Sequence, residues 1–71
     1  MSDSRPLKWV DIYDIAAELF EAQPEQNPLE VRFTDLRDLV MALPNFDDAP
    51  ERCNEKVLEA IQMEWLDEFR V

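Results

Sequence analysis

The sequence predicts a mainly α fold: a small three-helix domain with at most a minimal β-element. Three observations predict it. Apolar residues recur at helical spacing in three separate stretches. Each stretch opens on a residue type that caps helices, and two of them close on a proline. At 71 residues the chain has room for one core and no more.

The first stretch runs from about Asp11 to Gln23. Ile12, Ile15, Ala16, Leu19 and Phe20 form one apolar stripe, Asp11 stands at the N-cap, and Pro24 stops the helix. Pro24 to Pro28 reads as a turn, because two prolines within five residues cannot continue a helix. Leu29 to Phe33 (LEVRF) alternates apolar and charged residues, a short strand-like pattern. The second helix is expected over 34–43. Thr34 is its cap, Asp35 lies where the helix dipole favours a negative charge, and Leu36, Leu39, Val40 and Leu43 form its stripe before Pro44. Asn45 to Arg52 is irregular, with Phe46 expected to drop back into the core. Asn54 caps a third helix running to about Phe69, striped by Val57, Leu58, Ile61, Trp65 and Phe69, with Met63 and Leu66 at the edges.

Ordering each residue costs roughly 1.5 kcal/mol, and a chain this small buries only about 60% of its unfolded surface. The core therefore needs nearly every large apolar side chain. Trp9 and Trp65 are expected to close it rather than to serve as interface anchors, and Met41 and Met63 to fill beside the stripes. The domain organisation expected is a flexible N-terminus over 1–6 and one acidic helical domain over 7–71.

Composition excludes several functions. There is no His, so there is no Ser–His or Cys–His pair and no imidazole metal ligand. There is no Gly, so there is no Gly-rich phosphate cradle and no EF-hand loop. One Cys allows neither an internal disulfide nor a thiolate-held cluster within one chain. A net charge of −10 repels phosphate, which argues against nucleic acid as a partner. No apolar leader or membrane-length run is present, and the lone thiol suits a reducing compartment, so a cytoplasmic protein without membrane contact is expected.

The charge is unevenly placed. Residues 11–30 carry Asp11, Asp14, Glu18, Glu21, Glu25 and Glu30 and no Lys or Arg. The first five step by three and four, which puts Asp11 to Glu21 on one helix face, with Glu25 just past the helix end. Like charges at this spacing destabilise a helix by a few tenths of a kcal/mol each. The third helix repeats the pattern with Glu55, Glu59, Glu64, Asp67 and Glu68, though Arg52 and Lys56 interleave. Such stripes are ordinarily solvated faces that keep a small protein soluble. A run of twenty positions without one basic residue also suits a positive partner, either a basic protein surface or a cation.

Leu7-Lys8-Trp9, Val31-Arg32-Phe33-Thr34-Asp35, Asn45-Phe46-Asp47-Asp48 with Pro50, Asn54-Glu55-Lys56, Leu58-Glu59-Ala60-Ile61 and Trp65-Leu66-Asp67-Glu68 resemble, in order and spacing, the IscX family of small acidic proteins of iron–sulfur cluster assembly. The resemblance implies a modified winged helix, mostly helical. It implies an adaptor or regulator that binds the cysteine desulfurase of the pathway, with the cluster scaffold protein as a further partner. It also implies weak iron binding through carboxylates. The positions matching acidic family positions are Asp11, Asp14, Glu21, Asp35, Asp47, Asp48, Glu55, Glu59, Asp67 and Glu68; Glu18 shares the first-helix face without matching one. Cys53 matches no motif and reads as a small residue before a helix cap. Winged helices often bind DNA, but a third helix this acidic cannot serve phosphate.

An enzyme is the least expected class, since carboxylates on exposed faces lack the desolvation that tunes acid–base chemistry. Two functions remain. One is a monomeric adaptor bound to the desulfurase through the acidic faces. The other is an iron-binding donor or sensor supplying Fe2+ to the scaffold. No tightly bound cofactor is expected. Fe2+ or Fe3+ would sit weakly and exchangeably at Asp11, Asp14 and Glu21, because an all-carboxylate site selects poorly for iron.

Overall fold

The computed structural model describes residues 6–70, so the expected flexible N-terminus falls, apart from Pro6, outside the described residues. Three α-helices carry the fold: α1 (Ile12–Ala22), α2 (Phe33–Met41) and α3 (Glu55–Arg70). Two single turns of 3-10 helix, Pro28–Glu30 and Pro50–Arg52, lie in the connections. The mainly α expectation holds, with helix bounds shifted by one or two residues.

α1 packs chiefly on α3, and α2 and the Pro28–Glu30 turn complete the contact with α3. The core is Trp9, Ile15, Ala16 and Leu19 against Leu36, Val40 and Leu43 and against Leu58, Ile61 and Trp65. The predicted stripes are thus the buried faces, and both tryptophans are core, each no more than 2% exposed. Fully burying a large apolar side chain stabilises by about 1.5–3 kcal/mol. Leu66, expected at an edge, is also buried. Met41 and Met63 are exposed instead, because helical phase turns them away from the faces that Leu36 and Val40 on α2, and Leu58, Ile61 and Trp65 on α3, present to the core.

Helix starts follow local chemistry. The Asn54 side-chain oxygen accepts the Val57 N–H at 2.9 Å, the expected cap of α3. Thr34 does not cap α2. That helix begins one residue earlier, with Arg32 in extended geometry at the cap position, which lets Phe33 pack against the core. Asp11 occupies the N-cap position of α1 without a side-chain cap bond. Its carboxylate turns back to accept the Lys8 N–H at 2.9 Å, while its own N–H donates to the Lys8 carbonyl.

LEVRF is not a strand. Asn27 accepts the Leu29 N–H, Pro28 begins a 3-10 turn, and only Val31 and Arg32 remain extended before α2. The Gln62 side-chain amide donates to the Pro28 carbonyl at 2.9 Å and ties this turn to α3. The minimal β-element lies elsewhere, as an isolated parallel bridge between Leu7 and Phe46. The wing of a winged helix is a hairpin, which is antiparallel; among the described residues no such hairpin is present. Phe46 does drop toward the core, edge-on to Trp9 with ring centroids 4.6 Å apart. The indole N–H of Trp65 is buried without a hydrogen-bond partner among the described residues.

Candidate functional site

Exposed carboxylates are the chemistry this surface offers. On α1, the buried residues Ile15, Ala16 and Leu19 fix which side faces the core. At 3.6 residues per turn, Asp14, Glu18 and Glu21 then fall together on the opposite side. Asp14 and Glu21 are exposed and Glu18 is half-buried. Asp35 is exposed in the first turn of α2. Glu55 and Glu59 are exposed near the start of α3, and Asp67 and Glu68 near its end. Twelve residues of helix separate Glu55 from Asp67, about 18 Å along the axis, so α3 presents two acidic patches rather than one.

Asp11, Asp47 and Asp48 behave differently, because the Lys8–Trp9 segment gathers them. Lys8 donates its backbone N–H to the Asp11 carboxylate and its Nζ to the Asp47 carbonyl. Asp48 accepts the Trp9 N–H at 3.0 Å and the Ala49 N–H at 2.8 Å, with the Arg52 guanidinium at 3.6 Å. The Trp9 indole N–H donates to the Ala49 carbonyl at 2.8 Å. The Asp48 side chain is only 11% exposed. The Trp9 N–H above all holds its carboxyl below the usual Asp value; partial burial opposes this, and the Ala49 N–H, Arg52 and Lys8 assist. Asp48 thus fastens the N-terminal segment to the 45–49 loop. Sequence reading did not anticipate this hub, since nothing local marks Lys8 or Trp9 as a partner of Asp48.

The carboxylates do not converge on a point. Asp14 and Glu21 are seven residues apart, about 10 Å along α1, and Asp11 is turned back to Lys8. Among the described residues no group of three or more potential ligands is placed to hold a metal ion. The donor set therefore does not fit a chelating iron site. Cys53 is half-buried immediately before the Asn54 cap, as expected. Burial pushes its thiol pKa up, only partly offset by Arg37, which leaves little reactive thiolate.

A model of the iron–sulphur cluster assembly family matches residues 7–70. The chain belongs to the IscX family. That match spans all three helices and both 3-10 turns. The IscX-family chain is also 53% identical, over 62 residues, to an uncharacterized protein of Pseudomonas aeruginosa; the alignment covers 87% of this chain and 94% of that relative. Among the described residues of the IscX-family chain, no helix is long and apolar enough to cross a membrane.

Proposed function

We propose that this chain is a monomeric, cytoplasmic adaptor or regulator within iron–sulfur cluster assembly. It binds a basic surface of the cysteine desulfurase through the carboxylate face of α1, with the exposed acidic residues of α2 and α3 adding to the attraction and the cluster scaffold as a further partner. The observation that carries this reading is the α1 face: Asp14, Glu18 and Glu21 stand away from the core, and residues 11–30 hold no Lys or Arg. Like charges at that spacing cost helix stability, and a positive partner would offset the cost. No catalytic step is assigned to the chain. Asp14, Glu21, Glu55 and Glu59 lie exposed on helix faces, without the desolvation that tunes acid–base chemistry.

Iron has a secondary part in this proposal. Dispersed carboxylates attract Fe2+ or Fe3+ as loosely held counter-ions, with little preference over other hard cations. The alternative role as iron donor would need convergent ligands.

The test is binding of purified cysteine desulfurase at rising salt, with and without Fe2+. Affinity should fall with salt, because exposed charges are screened beyond about 8 Å at physiological ionic strength. The Asp14→Lys/Glu21→Lys variant should fold and lose most binding. Salt-independent affinity, normal binding by that variant, or binding that requires Fe2+ would each refute the proposal.

A further inference from the structure

Exposed ion pairs contribute only about 0–1 kcal/mol each, because water and salt screen them. An acidic face therefore steers a partner but does not by itself hold it. Interfaces of useful affinity are held by a few large side chains, Tyr prominent among them, that become fully desolvated near the centre.

Among the described residues, five large apolar side chains are left exposed: Val10, Tyr13, Leu29, Met41 and Met63. Val10 and Tyr13 are the most exposed, at 78% and 74%. They lie three residues apart across the start of α1, Val10 in the Lys8–Asp11 turn and Tyr13 in the first helical turn. Single exposed apolar residues are ordinary on any surface. This pair differs in its setting. Tyr13 precedes Asp14 by one position, and Ala17, one turn later, lies between the Tyr13 side of the helix and the Asp14–Glu21 face. Tyr13 and the half-buried Ala17 thus form a short apolar strip flanking the carboxylate face, with Val10 in the turn that leads into it. The Lys8–Trp9 hub fixes its N-terminal end, since Trp9 beside Val10 is buried and bonded to both Asp48 and Ala49.

We propose that Val10 and Tyr13 are the apolar anchors of a docking surface whose occupant is a protein with a basic rim around an apolar depression. Charge complementarity selects that occupant. A second copy of this chain would bring two unneutralised acidic faces together, and an anionic membrane would be repelled in the same way. The inference rests on the proposed binding of the cysteine desulfurase and names the contacts that hold the complex once charge has steered it.

The experiment compares desulfurase binding, at low and high salt, by the wild type, Val10→Ser/Tyr13→Ser, Tyr13→Phe and Asp14→Lys/Glu21→Lys. Unchanged far-UV spectra and melting temperatures check that the exposed substitutions leave the fold intact. The Val10→Ser/Tyr13→Ser variant should bind at least about ten-fold more weakly at either salt concentration, the size expected for loss of an interface hot spot. Its salt dependence should match the wild type, whereas charge reversal should flatten it. Tyr13→Phe should retain most of the affinity. If the serine variant binds within about two-fold of the wild type while charge reversal abolishes binding, the anchor assignment falls and the acidic docking face stands. If the wild type does not bind the desulfurase, both fall. A concentration-dependent dimer abolished by the serine substitutions would assign the strip to a second copy and overturn the proposal.

Discussion

Asp48 holds two backbone N–H groups of the fold, one of them from the far end of the chain. Its folded pKa lies below the ordinary 3.8, mainly because the ionised carboxylate accepts the Trp9 N–H. The sign of the linkage follows: the folded state favours the ionised form, so the stabilisation is fully present above 3.8 and is lost as pH falls through the lower folded value. Asp48→Asn should therefore melt at a lower temperature than the wild type at neutral pH, and the gap should narrow in acid below pH 3.8. Thermal unfolding at both pH values checks this, and parallel curves would show that the carboxylate is not the clamp. The contrast with Asn54 shows what a sequence makes legible at this scale. Asn54 serves an N–H three residues away, within reach of any local reading. Asp48 serves one 39 residues away, and nothing in the NFDDAPER stretch names that partner.

The three helices were legible because each carries enough turns for apolar periodicity to stand out, and each buries the stripe so identified. LEVRF forms no strand because five alternating residues are too few to outweigh Pro28 and the Asn27 cap, and among the described residues no neighbouring edge pairs with it. α1 offers the sharpest test of an element serving a partner at its own cost. Glu18 stands four residues from Asp14 and three from Glu21. Glu18→Lys replaces two repulsions with two attractions, the first with the acid N-terminal to the base, and should stabilise the domain by roughly 0.5–1 kcal/mol. The same change should weaken desulfurase binding. Denaturant unfolding and a binding titration on one preparation measure both. A variant that gains no stability, or that binds as well as the wild type, would show that the face is not held acidic for a partner.

Seen whole, the backbone spans 31 by 27 by 16 Å, and the acidity lies on the outside of α1 and α3. That distribution could be read from the sequence, since charges without partners stay at the surface of a small domain. The anchor residues could not be read in the same way. Val10 and Tyr13 belong to residue types that usually serve a core, and only the packed structure separates the apolar side chains that found one from those that did not. Family membership, too, was legible only from many short fragments in a fixed order, now matched over residues 7–70.

The main helix contact joins the two ends of the chain, α1 with α3, and residues 23–54 lie between them. During synthesis, α1 leaves the ribosome long before its packing surface exists. A helix of 11 residues is marginal alone, and the intervening loop must close before the core rewards it. Folding is therefore set as a nearly all-or-none event that awaits the last helix. A chain stopped after Ala49 should give the far-UV spectrum of a coil and be cut readily by protease; a fragment that melts cooperatively would show that α1 and α2 already hold a structure of their own.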